Sequence, residues 1–290
     1  MADPPVPDLL RPFRLALCCA LALGLAACEE NVPPTSADGS SFTIWGQLDP
    51  TVATQAVRVE PIAPTIDGIA EIGATVESED LVTGEVTPWR DSLITFADGS
   101  RGHVFLADYQ PPYGARVEFR VVRDGETATS ARVTVPPLVT PFFGEVSIGV
   151  RSTVDLVLPG APRVVGADVA YDLLSDAGDF LEFVEVDPSL VTSIDFGWRV
   201  TIDFSRQVEV LRGRFRQRDI NGFDASLVRV RGAVASEEWA APFPFPFSPA
   251  FVIQPGTVSN VRGGFGFLGA AYAFDVPLEV GEDVLNRLGL

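Results

Sequence analysis

The side chains that most enzymes use for nucleophilic or metal chemistry are scarce in this chain of 290 residues, which has one His, three Cys and no Lys. A Ser-His-Asp triad would have to use His103, and no Gly-x-Ser-x-Gly elbow accompanies it. His103 lies in a run with strand character, so we interpret it as a structural imidazole. Cys18 and Cys19 lie in the N-terminal segment that is predicted below to be a signal peptide, so one Cys and one His remain, too few for a zinc site of His and Cys. A Walker loop needs a lysine, which the chain lacks. The sequence therefore predicts no catalytic residue, no metal ligand and no cofactor.

One glycine-rich segment does match a nucleotide-binding pattern. Gly264-Phe-Gly-Phe-Leu-Gly269 has the spacing G-x-G-x-x-G. A dinucleotide site needs this loop to open a helix within a βαβ unit, yet residues 271–276 alternate like a strand. We therefore predict that these glycines let a strand bend or another backbone approach.

Carboxylates crowd one region of the second half of the chain: Asp172, Asp176, Asp179, Glu182 and Glu185. We interpret this region as a solvated acidic loop. Two alternatives stay open. The turn from Asp176 to Asp179 could bind calcium, although the twelve-residue EF-hand spacing is absent. A pair of carboxylates could also hydrolyse a glycosidic bond, which would make the protein a carboxylate-dependent hydrolase of envelope glycans.

Arginines recur at every second position further along the chain: Arg212, Arg214, Arg216 and Arg218. In a strand, all four side chains would leave the same face. A two-residue turn at Asn221-Gly222 would then set Arg214 opposite Arg229 and Arg212 opposite Arg231. Opposed like charges are destabilising unless anions lie between them. This face is either neutralised by nearby Asp and Glu, or it is a docking patch for an acidic partner or an anionic glycan.

Three phenylalanines alternate with prolines in residues 242–249, at Phe243, Phe245 and Phe247. The prolines hold this segment extended, so its rings would form an adhesive apolar patch if they were exposed. The alternative is a loop that folds back over an open end of a β-sandwich.

The N-terminus has the pattern of an export signal. Arg11 and Arg14 precede an apolar run that is too short to span a bilayer, so residues 1–27 are predicted to be a signal peptide. Leu25-Ala26-Ala27-Cys28 resembles the lipobox of bacterial lipoproteins. This resemblance implies cleavage between Ala27 and Cys28, acylation of the Cys28 thiol and an anchor in the lipid bilayer. Residues 28–40 then form a lipidated tether.

Charge and the residues after Cys28 limit the partners and the location. The formal net charge is −18, so the surface as a whole is a poor partner for nucleic acid. Glu29 and Glu30 differ from the Asp that retains lipoproteins in the inner membrane, so the resemblance implies the outer membrane. Whether the protein faces the periplasm or the cell surface stays open.

The remaining sequence predicts an all-β protein, because short β-branched and aromatic runs alternate with turn dipeptides. Pro136-Pro137 is predicted to separate two β-sandwich or partly closed barrel domains, residues 41–137 and 138–290. Strands are predicted, among others, at residues 42–48, 57–59, 117–121, 131–135, 145–150, 153–158, 180–186, 198–204, 208–215, 227–234 and 271–276. The single helical candidate is residues 282–288.

Several segments also resemble a family of uncharacterised outer-membrane lipoproteins with a domain of unknown function. They are residues 44–50, 57–61, 102–105, 112–114 and 259–269. The resemblance implies an immunoglobulin-like N-terminal half, a second β half and a place beside TonB-dependent outer-membrane transporters. The predicted function is therefore a lipid-anchored envelope protein with a binding, accessory or structural role, and the glycan hydrolase is the alternative.

Overall fold

The computed structural model describes residues 42–62, 71–97, 99, 101–175, 178–218, 224–239, 259–279, 282–288 and 290. Strands make up 61% and helices 10% of it, and none of the large sheets is closed. The predicted all-β, sandwich-like fold class is therefore confirmed.

Seven strands form the first part of the fold, and most carry buried side chains at alternate positions. They are β1 (Phe42–Leu48), β2 (Thr54–Pro61), β3 (Thr75–Asp80), β4 (Val86–Thr95), β5 (Arg101–Asp108), β6 (Arg116–Arg123) and β7 (Glu126–Thr134). Strands β6 and β7 are joined at Asp124-Gly125, where φ is +53° and +81°. These values match the two-residue hairpin turn that the Asp-Gly dipeptide predicts.

Among the described residues, the second part contains nine strands, two α-helices and a short 3₁₀ helix (Pro188–Leu190). The strands are β8 (Phe142–Phe143), β9 (Thr153–Pro159), β10 (Arg163–Ser175), β11 (Gly178–Glu185), β12 (Val191–Ile194), β13 (Gly197–Asp203), β14 (Asp224–Ala235), β15 (Val261–Arg262) and β16 (Gly264–Pro277). The α-helices are α1 (Phe204–Gln217) and α2 (Glu282–Leu288), of which α2 is the predicted one. Residues 145–150, predicted as a strand, contain only an isolated bridge at Ser147.

Strand β16 joins the two predicted domain ranges in one sheet. The order of this twelve-stranded sheet is β11-β10-β14-β16-β1-β2-β5-β4-β3-β6-β7-β15, and a second sheet has the order β12-β13-β9-β8. Residues 264–270 of β16 run parallel to β1, whereas residues 271–277 run antiparallel to β14. The boundary predicted at residue 137 therefore does not separate two independent sheets, because β16 completes the first range from the end of the second.

The glycines of β16 allow the close approach of β1. A Cβ at Gly264 would lie 2.1 Å from the carbonyl oxygen of Phe42, and one at Gly266 would lie 2.0 Å from that of Ile44. Gly266 also has φ of +120°, which side-chain-bearing residues rarely adopt. The prediction that these glycines serve backbone approach is confirmed, and the segment continues as a strand rather than opening a helix.

Two main hydrophobic cores lie on either side of this junction. The first is formed by β1 to β7 with Leu268 and Ala270 of β16, and in it Trp89 meets Phe119 edge to face. The second lies between the inner face of the four strands β11-β10-β14-β16 and a cover made by β9, β13 and the two helices. We call the opposite face of those four strands the outer face.

Helix α1 replaces the strand predicted at residues 208–215. Asp203 caps it by accepting a hydrogen bond from the backbone N–H of Arg206. Its buried residues Phe204, Val208, Leu211 and Phe215 recur at intervals of four, three and four, which is the helical period. The alternating arginines obscured this apolar stripe, because they gave the same segment a period of two.

Candidate functional site

The six predicted arginines do not share a face. Arg212, Arg214, Arg216 and Arg218 belong to helix α1, whereas Arg229 and Arg231 belong to strand β14. Arg229 lies opposite Ala170 on one side and Pro277 on the other, so its predicted pairing with Arg214 is wrong. The predicted pairing of Arg212 with Arg231 is wrong for the same reason. Successive residues of a helix are rotated by about 100°. Arg214 and Arg218 therefore leave one side of α1, and Arg212 and Arg216 leave the opposite side.

On the inner side, two helical arginines hold a buried acid. Glu182 of β11 is 7% exposed, and its Oε2 and Oε1 lie 3.0 Å and 2.5 Å from Nη1 of Arg214 and Arg218. Arg214 also donates to the carbonyl oxygen of Phe183 at 2.7 Å. Phe180 and Phe215 meet edge to face beneath this pair, with ring centroids 5.3 Å apart. We call this arrangement the Glu182 clasp.

On the outer face, the arginines of β14 pair with acids of the neighbouring strands. Arg231 binds Asp168 through two hydrogen bonds of 2.9 Å and 3.0 Å, which raise the pKa of the arginine. Arg229 lies 3.6 Å from Asp172 and 3.4 Å from Asp275. These contacts supply the neutralisation that one of the two interpretations of the arginines required.

The outer face also exposes large apolar side chains. Four of them are between 38% and 51% exposed: Leu174, Leu181, Phe183 and Leu227. Leu181 and Leu227 flank Asp172 in the ladder, and Phe183 is next to Ala170. The guanidinium of Arg231 lies 4.1 Å from the ring centroid of Phe183. We call these four side chains, together with the ion pairs among and beside them, the outer patch.

A pocket of about 520 Å³ opens at the other end of β10. Its lining includes Arg163, Val165, Gly166, Val191 and Trp198. Sequence reasoning did not identify Arg163, since it stands alone in the sequence. The one local signal was Gly166, whose φ of +63° accompanies a shift of register between β10 and β14.

A smaller cleft of about 180 Å³ beside α1 has three acids in its lining: Glu185, Asp187 and Asp203. Asp187 accepts hydrogen bonds from Arg206 and from Ser189, which lower its pKa to about 2. A glycosidase general acid instead needs a raised pKa. The prediction of a solvated acidic loop is wrong for Asp172 and Glu182, which lie in β10 and β11 and are ion-paired with arginines. The hydrolase alternative stays a prediction.

The single histidine lies in a strand, as predicted. His103 of β5 is 3% exposed, and its Nδ1 lies 2.9 Å from both carboxylate oxygens of Asp91 on β4. Within the described ranges, no group of three or more His, Cys, Asp or Glu could hold a metal ion.

Several predicted residues lie outside the described residues. They are the cleavage and lipidation site at Ala27 and Cys28, the turn at Asn221-Gly222, Asp176 of the calcium alternative, and Phe243, Phe245 and Phe247. In the part of the chain that is described, no helix is both long and apolar enough to cross a membrane. No protein-family model matches the chain, and no curated protein matches it significantly.

Proposed function

We propose that this chain is an exported lipoprotein, anchored in the outer membrane through acyl chains on Cys28, with a binding role. The anchor rests on Leu25-Ala26-Ala27-Cys28 behind a basic and then apolar leader. Stable attachment takes two lipid signals, and acylation of both the thiol and the amine would supply them.

The binding role rests on one observation, the outer patch. Leu174, Leu181, Phe183 and Leu227 present apolar surface on one face of the sheet. Ion-paired arginines and aspartates lie among and beside these side chains, and apolar area mixed with paired polar groups is typical of protein interfaces. The proposed partner is an outer-membrane transporter, which the family resemblance implies and which shares the membrane with the proposed anchor.

Cys28→Ser tests the anchor in cells that express the full chain. Wild type should incorporate labelled palmitate and enter the detergent phase of a Triton X-114 separation. The variant should lose both properties, because serine offers no thiol for the thioether. Equal partition of the two proteins would contradict the lipoprotein proposal.

Cross-linking in intact membranes tests the outer patch. Wild type should capture an outer-membrane transporter, identified by mass spectrometry, and Leu181→Asp with Phe183→Asp should reduce the yield at least about tenfold. Val82→Asp is the matched control, because Val82 is 74% exposed but lies in a turn of the first part of the fold. Undiminished capture by the double variant, or capture of no transporter by wild type, would contradict the proposed docking.

A further inference from the structure

We propose that the pocket beside Arg163 binds a small organic carboxylate, whose charged group pairs with Arg163 and whose apolar body lies against Trp198 and the neighbouring valines. This inference is independent of the outer patch and of the lipid anchor. It concerns a different region of the same sheet.

The pocket exists because two neighbouring strands differ in length. Strand β11 pairs with β10 from Asp168 onward, and Val186 donates its backbone N–H to the carbonyl oxygen of Ala167. Residues 163–166 of β10 therefore extend past the end of β11 and keep only β14 beside them. A bulge bends β10 at Gly166, where φ is positive and the register shifts. Residues 163–165 stay paired with β14. The open volume lies between this free edge and Trp198 of β13.

Arg163 differs from the comparable arginines of this fold. Seven arginines are partly buried among the described residues: Arg58, Arg120, Arg123, Arg163, Arg214, Arg229 and Arg231. Five of the other six form ion pairs with carboxylates, and Arg123 lies over the ring of Phe42. Arg163 alone among the seven has neither kind of contact within the described part of the chain. Its buried Nε has no hydrogen-bond partner there, which is also true of Nε of Arg229 and of Oε2 of Glu238.

An unpaired buried donor is costly, so native proteins nearly always satisfy it. A carboxylate is the natural partner of a guanidinium, because its two oxygens accept parallel hydrogen bonds from Nε and one Nη. Arg163 therefore gives the pocket one anchoring point for one oxyanion.

The other lining residues define the rest of the ligand. Val165, Pro188, Val191 and the ring of Trp198 contribute apolar surface. The indole N–H of Trp198 already donates to the carbonyl oxygen of Pro162 at 2.8 Å, so the ring offers its apolar surface. Glu185 also lines the pocket and disfavours a second negative charge, which selects a monocarboxylate over a phosphate dianion. The volume is within the range of small-molecule sites.

Two fluorescent probes of nearly the same shape distinguish the contribution of the charge of Arg163 to binding from that of the apolar lining. 1-Anilinonaphthalene-8-sulfonate carries one negative charge, and N-phenyl-1-naphthylamine is its uncharged counterpart. Arg163→Gln should weaken binding of the anionic probe at least about tenfold, the effect of losing one charge-assisted hydrogen bond, while the neutral probe keeps its affinity. Octanoate should displace the anionic probe from wild type, whereas octanol and inorganic phosphate should compete much more weakly.

Two further variants control for the other surfaces. Arg116→Gln removes the same charge from an exposed position on β6, and Phe183→Asp alters the outer patch; neither should change the affinity of the anionic probe. Thermal melts verify that each variant folds. Equal affinity of wild type and Arg163→Gln for the anionic probe would overturn the inference. An equal loss for both probes, or displacement by phosphate as good as by octanoate, would also overturn it.

Discussion

The two faces of the sheet formed by β11, β10, β14 and β16 handle ion pairs in different ways. On the inner side, Glu182 has 9% of its side chain exposed and is held by two arginines from α1. On the outer face, Asp168 has 25% of its side chain exposed and is held by one arginine of the adjacent strand. Both acids carry the same charge and both bind guanidinium groups.

The two ion pairs should differ in their contribution to stability because one acid is buried and the other is not, rather than because of the number of contacts. An acid removed from water loses its hydration and depends on its partners, so breaking a buried pair costs about 3–5 kcal/mol. Water replaces the lost partner of an exposed pair, which is worth about 0–1 kcal/mol. The Glu182 clasp should therefore act as a structural connection between α1 and β11, whereas the outer pairs mainly shape a surface.

The largest effect is expected from removing both arginines of the clasp. Arg214→Gln with Arg218→Gln should lower the free energy of unfolding by about 3 kcal/mol or more, because Glu182 is left buried without a cation. Urea denaturation at neutral pH measures this change. The matched control is Arg212→Gln with Arg216→Gln, which alters the charge of the same helix equally and should cost about 1 kcal/mol or less. Equal losses in the two double variants would show that the clasp stabilises the fold no more than the exposed arginines of α1 do.

Removing the acid instead should cost less than removing its partners. Glu182→Gln leaves Arg214 and Arg218, whose side chains are 38% and 47% exposed and can be hydrated. We expect a loss of about 1.5–3 kcal/mol, the scale of hydrogen bonds to a charged group. Denaturation of this variant beside the double arginine variant gives the comparison. A loss as large as that of the double variant would show that the pair itself, rather than the buried charge, stabilises this contact.

On the outer face, Arg231→Gln should lower the free energy of unfolding by about 1 kcal/mol or less. The effect should shrink as salt is added, because exposed charges are screened at high ionic strength. Melts at low and high sodium chloride concentration measure both quantities. A loss above about 3 kcal/mol, or one that salt does not change, would show that the Arg231–Asp168 pair behaves like a buried ion pair and contradict this prediction.

The smallest change in stability is expected at Asp187, which accepts hydrogen bonds from Arg206 and Ser189. These bonds lower its pKa from 3.8 to about 2, so their contribution is present above pH 4 and is lost as the pH falls through about 2. Arg206→Gln should raise this pKa, and carboxyl NMR signals followed through an acid titration report it. Arg199→Gln, which alters a neighbouring arginine paired with Asp155, should leave the pKa of Asp187 unchanged.

The sequence predicted most of the sheet and most of its cover, but not helix α1. Residues 42–48 match β1, and Asp124-Gly125 forms its expected turn, because alternation and turn chemistry are local properties. Helix α1 was missed because arginines with a period of two overlay an apolar stripe with the helical period. Asp203 as a cap, followed by Phe204, Val208 and Leu211, was the available signal.

The candidate sites were harder to predict than the strands. The partners of Glu182 and Arg231 depend on which elements pack together, and no local pattern reports that. Arg163 is notable only because β11 ends before reaching it, which is a property of the assembled sheet. Sequence reasoning therefore identified charged clusters but not which charges lack a partner.

The sharing of β16 has a consequence for how the chain folds. Gln47 donates a hydrogen bond from Nε2 to the carbonyl oxygen of Ala271, a contact between residues 224 positions apart. Strand β1 therefore cannot complete its pairing until β16 is available. Contacts between residues so distant in sequence make folding slow. A ribosome or translocase would release β16 only after all the strands before it. Strand β1 would remain without its parallel neighbour until then, so the native sheet would form after β16 had emerged.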